Sequence, residues 1–271
     1  NYLYYLYKNS NMRYHLDIAL RMGLDEFINN QKRARWTFIA TMISCVITLF
    51  GSYLSWVIKG CRAYMPFISD MDLYQPEDTI FSLGGTLAGF FVLVTLFDIC
   101  WIKRNEIKKY SLPNHLSLLN FIALIPGAIS AVSVVMLVNT PWTEGEALHL
   151  SLADNIFYGG AIWGGLISIV SWRLNKENPS HSNILYWRAF SALVAIFSLF
   201  MMVVTFGKIA WEKAPERTLL EYANSGDLCH SEYLSGLSTA AVYEWFLIIG
   251  IVGVIATFWQ DLNYSSSAEE E

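Results

Sequence analysis

Six long apolar runs constrain this chain more than any other feature of its sequence. A helix needs about 20 apolar residues to cross the ~30 Å hydrocarbon core of a bilayer, and each run is that long. With 54% hydrophobic and 15% charged residues, the 271-residue chain is too apolar for a soluble domain. The sequence therefore predicts an all-α polytopic membrane protein, with a six-helix transmembrane domain over residues 36–262. The predicted spans are 36–58, 80–102, 117–139, 153–172, 184–210 and 238–260.

The distribution of Lys and Arg predicts the orientation, because basic residues near span ends resist translocation. Segments on the same side as the termini carry twelve basic residues, whereas the opposite loops carry four. We therefore expect both termini to be cytosolic. Membrane lipids are the expected partners, and nucleic acid is not.

The two ends of the chain differ from the transmembrane domain in composition. Residues 1–35 carry too many charges to span a membrane, yet apolar residues recur at helical spacing from Tyr14 onward. This pattern predicts a cytosolic amphipathic segment that lies in the interface, docks on a larger protein partner, or dips into the membrane. No signal peptide is expected there. Residues 263–271 form a short acidic tail, which we expect to be disordered.

Two of the four cysteines fall in predicted non-cytosolic loops. Cys61 follows the first span, and Cys229 precedes the last. Because that side is oxidising, a Cys61–Cys229 disulfide is the preferred interpretation, and two unpaired thiols are the alternative. Cys45 and Cys100 fall within predicted helices, where a buried apolar role is expected.

The segment between the first two spans is rigid and acidic. Residues 65–81, "MPFISDMDLYQPEDTIF", contain four acids and two prolines but no Lys or Arg. A calcium loop needs ligands at fixed offsets and a turn glycine, and neither is present. A catalytic carboxylate site and a folded lid over the helix bundle are the other interpretations. Pro66 and Pro76 favour a non-helical turn, and Glu77 suits the first turn of the second span.

Patterns of enzyme chemistry are missing from the sequence. No His pair has zinc-site spacing, and no nucleophile elbow, phosphate loop or dinucleotide-binding glycine pattern occurs. We therefore predict no metal, no cofactor and no catalytic residue.

Glu244 is the most informative ionisable residue within the spans. It lies about two turns inside the sixth span, and a charged group facing hydrocarbon is costly. We expect it to point into the bundle, either bonded to a neighbouring Ser, Thr or Tyr or exposed to a substrate. The paired glycines at 85 and 89, and at 160 and 164, predict close helix packing. If that packing leaves room, a lipid cavity should lie beside the sixth span, roofed by residues 65–81. Its predicted wall comprises Glu244, Tyr243, His149, Ser82, Thr86 and Tyr158.

The acidic segment also carries a family resemblance. "PFISD" followed by "YQPEDTIFSLGG" resembles the signature of the DRAM/Frag/Sfk family of six-span membrane proteins, and stretches around His149 and Glu244 are similar more loosely. The chain departs from the signature at "LYQPED", where members commonly have Gly and Pro-Pro. The residues at motif positions are Pro66, Ile68, Ser69, Asp70, Pro76, Glu77, Ile80 and Phe81.

The resemblance implies a role in lipid handling. Members of the family include a factor for GPI-anchor lipid remodelling, autophagy modulators and proteins that support phosphoinositide synthesis. The implied function is a non-enzymatic membrane subunit that contacts lipid and supports a larger lipid-handling machine, in lipid transfer or GPI-anchor lipid remodelling. The resemblance implies the endoplasmic reticulum or Golgi as its membrane, with the plasma membrane and lysosome as alternatives. The alternative is an acyl-transfer or lipid-remodelling enzyme that uses His149 or His230 with a lumenal carboxylate. A channel is less well supported, because the spans lack a polar stripe.

Overall fold

The computed structural model describes residues 31–143, 145–177, 182–213, 229 and 237–262. Within those ranges the chain is helical, with no strand. Most of the predicted amphipathic segment and all of the predicted acidic tail lie outside the described residues. The helices are α1 (Gln31–Val46, continued by a π-helical turn at Ile47–Gly51 and by Ser52–Ile58), α2 (Glu77–Lys109), α3 (Asn114–Leu137), α4 (Glu146–Asn175), α5 (Ser182–Lys213) and α6 (Leu237–Ala256).

Five helical segments of the described chain are long and apolar enough to span a membrane. These are Lys32–Ile58, Glu77–Lys109, Asn114–Leu137, Asn183–Lys208 and Ser238–Leu262. The 30-residue α4 is not among them. Asp154, Asn155 and four glycines make it less apolar than its neighbours. An all-helical membrane protein is thus confirmed, whereas a count of six spans remains a prediction.

The helices extend beyond the predicted apolar runs, because charged residues at their ends are favourable there. α2 has 33 residues, with Glu77 and Asp78 in its first turn and Lys108 and Lys109 in its last. Acids at a helix N-terminus and bases at its C-terminus interact favourably with the helix dipole. At 1.5 Å per residue α2 is about 50 Å long, so both ends project beyond a ~30 Å hydrocarbon core.

Consecutive helices pack side by side, and α6 also packs on α4. Glycines permit the closest approaches. A Cβ added at Gly89 would lie 2.9 Å from the carbonyl oxygen of Ala131, and one added at Gly159 would lie 2.6 Å from that of Pro126. Real side chains cannot occupy such positions, so these sites require glycine. Of the predicted pairs, Gly85 and Gly89 face α3, and Gly160 faces Ile251 of α6.

Apolar side chains cover the outside of the bundle as well as its core. Leu193 is 64% exposed and Leu83 63% exposed, while Trp56 and Phe258 are almost fully buried. In water such an exterior would be unfavourable, but lipid tails solvate it. The two ends of the bundle are polar. We call the end that holds Cys61 and residues 65–81 the disulfide end, and the end that holds Lys103 and Lys109 the basic end.

Candidate functional site

The disulfide end begins with a covalent link, because Cys61 and Cys229 form a disulfide. This confirms the predicted pairing. The amide of Arg62 donates to the carbonyl oxygen of Cys229 over 3.0 Å, so the backbones are joined beside the bridge. Trp56 of α1 then donates its indole N–H to the carbonyl oxygen of Arg62 over 3.0 Å. The segment leaving α1 is therefore fixed on two sides before residue 65 is reached.

Residues 65–81 are attached to α6 by two neighbouring side chains. The amide of Ile68 donates to Oε2 of Glu244 over 2.8 Å. Trp245 donates its indole N–H to the carbonyl oxygen of Pro66 over 2.8 Å. Glu244 is 6% exposed and Trp245 3% exposed, so water does not compete for either bond. The predicted inward orientation of Glu244 holds, but its partner is a backbone amide instead of a hydroxyl group.

Within residues 65–81 a short 3-10 turn, Ile68–Asp72, brings the motif residues together. Its first turn is closed by Asp70, whose Oδ2 accepts from the amide of Phe67 over 3.2 Å. Met71 is fully buried beneath the turn. Ser82, at the start of α2, donates to Oδ1 of Asp72 over 3.3 Å. The segment is therefore a folded lid, as one of the three sequence interpretations proposed.

Glu77 is the most deeply buried acid of this end, with no exposed surface. Nζ of Lys59 lies 3.2 Å from its Oε1. The same ammonium donates to the carbonyl oxygen of Gln75 over 2.9 Å and sits 4.7 Å from the ring centroid of Tyr74. Oε2 of Glu77 has no hydrogen-bond partner among the described residues. Lys59 thus ties the end of α1 to the start of α2.

The other predicted wall residues lie in separate contacts. His149 is 3% exposed, and its Nδ1 is 2.7 Å from the carbonyl oxygen of Thr140. Burial lowers the pKa of the His149 imidazole, and the Thr140 carbonyl opposes part of that shift. Tyr243 packs edge-on against Phe197 of α5. Thr86 accepts a hydrogen bond from Asn139, and Tyr158 is 44% exposed on α4.

Metal ligation has no geometric support in the described residues, where no three His, Cys, Asp or Glu side chains are grouped to hold an ion. The acids of residues 65–81 instead make hydrogen bonds and one ion pair, as described above.

The basic end holds a buried cluster that sequence reasoning missed. Arg188 of α5 lies 2.7 Å from Asp261, and Lys103 of α2 lies 3.3 Å from the same carboxylate. All three side chains are at most 5% exposed. Arg188 also donates to Ser171 of α4 over 2.6 Å and to the Thr257 hydroxyl over 2.8 Å. One cluster therefore joins α2, α4 and α5 to the chain after α6.

Asp98 and Arg188 lie within predicted spans near this end, but they do not pair with each other. Instead, Asp98 pairs with Arg33 of α1, and Arg188 pairs with Asp261. Asp261 comes one residue after the predicted sixth span, so the apolar pattern gave no reason to place it inside. Its proximity to α2 and α5 depends on how the helices pack, which the sequence pattern does not show.

Comparison with known proteins identifies the family. The model of the Frag1/DRAM/Sfk1/Cwh43P N-terminal domain matches residues 33–265. The chain belongs to this family. It therefore shares its domain with proteins of the group that the "PFISD" motif indicated.

Named relatives agree with the family assignment. The chain is 32% identical over 198 residues to Transmembrane protein 150A of Xenopus laevis, covering 72% of this chain and 60% of the relative. Human Transmembrane protein 150A is 26% identical over 203 residues, covering 75% of this chain and 64% of that protein. Human DNA damage-regulated autophagy modulator protein 1 is 20% identical over 234 residues, which is 84% of this chain and 87% of that protein. The chain thus spans less than two thirds of the length of the first two relatives. No solved structure matches.

Proposed function

We propose that this protein is a non-enzymatic multi-pass membrane subunit that contacts lipid and supports a larger lipid-handling machine, in lipid transfer or in GPI-anchor lipid remodelling. The observation that carries the proposal is the Glu244–Ile68 hydrogen bond. An intramembrane acid is a candidate functional group. This one holds a folded surface in place, which suits presentation to a partner better than turnover of a substrate.

Two further observations support the proposal. The large apolar side chains that cover the bundle can contact lipid directly. At the disulfide end, His149 is buried against the carbonyl oxygen of Thr140, so it has little access to an acyl substrate. The other histidine of the enzyme alternative, His230, lies outside the described residues.

The proposal includes an orientation and a location. Disulfides form in the lumen of the secretory pathway or outside the cell, so the Cys61–Cys229 bridge supports a lumenal disulfide end and cytosolic termini. The endoplasmic reticulum or Golgi is the proposed membrane. Protease added to sealed microsomes should then remove an epitope placed after residue 271, while the disulfide remains protected. Protection of that epitope would overturn the orientation.

Crosslinking and co-purification from native membranes test the proposal. We compare Glu244→Leu, which removes the acceptor for the Ile68 amide, with His149→Asn, whose amide can still donate to the Thr140 carbonyl. Loss of protein partners or bound lipid in Glu244→Leu, with a monodisperse protein and retained partners in His149→Asn, supports the subunit function. Loss of lipid turnover by purified His149→Asn, with partners retained, would instead establish the enzyme alternative.

A further inference from the structure

A small polar cavity lies at the basic end, beside the buried cluster. Its volume is about 40 Å³, and its lining includes Lys103, Arg188, Asp261, Glu106 and Asn175. By the same measure one water molecule needs about 10–15 Å³, so about three waters or one small polar group would fit. The cavity is therefore large enough to hold a ligand group, and its chemistry decides which one.

The cavity wall carries hydrogen-bonding groups that the described residues do not satisfy. Arg188 has five N–H donors, and its contacts with Thr257, Ser171 and Asp261 leave one N–H of Nη1 without an acceptor in that part of the chain. Lys103 uses two of its three donors, on Glu106 and Asp261. Oδ1 of Asn175 is buried and has no partner among the described residues. Buried polar groups are normally hydrogen-bonded, so this wall requires a polar occupant.

The unsatisfied donors favour an occupant that accepts hydrogen bonds. The charges of Lys103 and Arg188 are balanced by those of Glu106 and Asp261, so recognition rests on the donors that both cations still present to the cavity and not on net charge. The ring of Phe258 covers Arg188, with its centroid 3.6 Å from the guanidinium carbon, and keeps water from that face. The Asn175 amide can turn to offer its NH₂ group, so each unsatisfied group can then donate.

The depth of the cavity fits a phospholipid headgroup. Lys103 lies six residues before the last residue of α2, and Arg188 six residues after the first residue of α5. Six residues of helix span about 9 Å. The headgroup region on each side of the hydrocarbon core is about 5–7 Å thick. If both helix ends lie at the outer edge of that region, both cations lie near the boundary between phosphates and acyl chains.

We propose that this cavity binds one phosphate group, taken from a phospholipid headgroup or from free phosphate. The inference rests on the proposed lipid contact and adds the chemical group that would be recognised. Arg188 and Lys103 each donate to a phosphate oxygen, and the turned Asn175 amide donates to another. Asp261 keeps the two cations in position.

The test measures the unfolding temperature of the purified full chain in two arms, because a ligand bound to the native state raises it. In detergent, inorganic phosphate is compared with chloride at equal ionic strength. In nanodiscs, phosphatidylcholine alone is compared with phosphatidylcholine plus phosphatidic acid. A rise in the first arm identifies a free phosphate site, and a rise only in the second identifies a headgroup site. Either rise supports the proposal, and no rise in both arms means that the cavity holds water only.

Two variants assign the effect to the cavity. Asn175→Leu fills it without removing an ion pair, and should weaken the apparent affinity at least about tenfold, the equivalent of one charge-assisted hydrogen bond. Lys108→Gln removes an exposed cation of the same end and should change affinity less than about twofold. An equal loss of affinity in both variants would show that phosphate is attracted to the positive surface in general, and it would overturn the proposed site.

If Asn175→Leu does not fold, Asn175→Ala tests the proposal instead, because it removes the amide without adding bulk. Affinity should fall in this variant as well, and unchanged affinity would overturn the proposal. A failure here leaves the partner association that depends on Glu244 untouched, so the two proposals fail separately.

Discussion

The two ends of the bundle are held together by different means. At the disulfide end, a loop is fixed by one covalent bridge and by side chains that bond to its backbone, as in the Glu244–Ile68 and Trp245–Pro66 contacts. At the basic end, helices are joined directly by buried ion pairs among Lys103, Arg188 and Asp261. The first arrangement shapes a non-helical surface, whereas the second fixes the relative positions of helices.

The comparison teaches how one helix can serve both ends. The chain of α6 presents Glu244 to residues 65–81 and, 17 positions later, Asp261 to α2 and α5. A change at Asp261 should therefore loosen the whole bundle. A change at Glu244 should loosen only the surface that we propose a partner recognises.

The largest expected effect is at the basic end. Asp261→Leu leaves Arg188 and Lys103 buried without their shared carboxylate, so the free energy of unfolding should fall by about 3–5 kcal/mol. Steric-trap unfolding in bicelles measures this change in the free energy of unfolding. Glu106→Gln is the control, because that carboxylate is partly exposed and its loss should cost less than about 1 kcal/mol. Similar losses in the two variants would mean that the buried cluster does not join the helices.

Removal of the disulfide should have the next largest effect. The bridge closes a loop with a sequence separation of 168, for which the chain-entropy model gives about 5 kcal/mol as an upper limit. The membrane restrains the unfolded chain, so Cys61→Ser should cost about 2–4 kcal/mol. Cys45→Ala keeps the bridge and serves as the control. Non-reducing peptide mapping checks the link itself, and alkylation of both Cys61 and Cys229 in native protein would refute it.

Glu244 should have a smaller and more local effect. Glu244→Leu leaves the buried amide of Ile68 without an acceptor, which should cost about 1–3 kcal/mol. Glu244→Gln retains an amide oxygen that can accept this bond, so it should cost less. The same unfolding measurement ranks the two. If Gln is as damaging as Leu, then the carboxyl group contributes to stability beyond this hydrogen bond.

The smallest effect concerns pH at the disulfide end. Burial lowers the pKa of His149 in the folded state from its usual 6.5. Above about pH 6.5 the residue is neutral in both states, and stability is unaffected. As pH falls below that value, the unfolded state binds a proton that the folded state does not. Stability is then lost down to the lowered folded pKa, by at most about 1.4 kcal/mol per pH unit.

Unfolding temperatures at several pH values check this prediction, with His149→Asn as the control. The variant keeps a donor for the Thr140 carbonyl but cannot titrate in this range. A pH slope that persists in the variant would assign the dependence to another group.

Much of this arrangement was predictable from the sequence, for identifiable reasons. Apolar runs locate the helices, because solvation by lipid makes hydropathy a direct constraint. The cysteine pair was found because only two cysteines fall in predicted oxidising loops. Glu244 was placed inside because the alternative is costly. Its partner was not predictable, since every residue carries a backbone amide and nothing marks the amide of Ile68 in the sequence.

The basic-end cluster was hidden for a related reason. Hydropathy indicates which segments lie in the membrane, but it does not indicate which helices pack against each other. Lys103 and Asp261 are 158 positions apart, and only the order of helices in the bundle brings them together. Gly85, Gly89 and Gly160, in contrast, lie at close helix contacts as predicted, because small residues let helices approach in membranes, whereas Gly164 makes an ordinary contact.

Amide hydrogen exchange at residues 65–81 tests the account most directly, because it reports on the bond that joins this segment to α6. In nanodiscs, Glu244→Leu should speed exchange of the Ile68 amide and its neighbours, and leave the amides of α4 and α5 unchanged. In the Tyr243→Phe variant, changed one position earlier on α6, the amides of residues 65–81 should exchange at the rate of the unmodified protein. Equal protection of Ile68 in the Glu244→Leu variant and the unmodified protein would contradict the account.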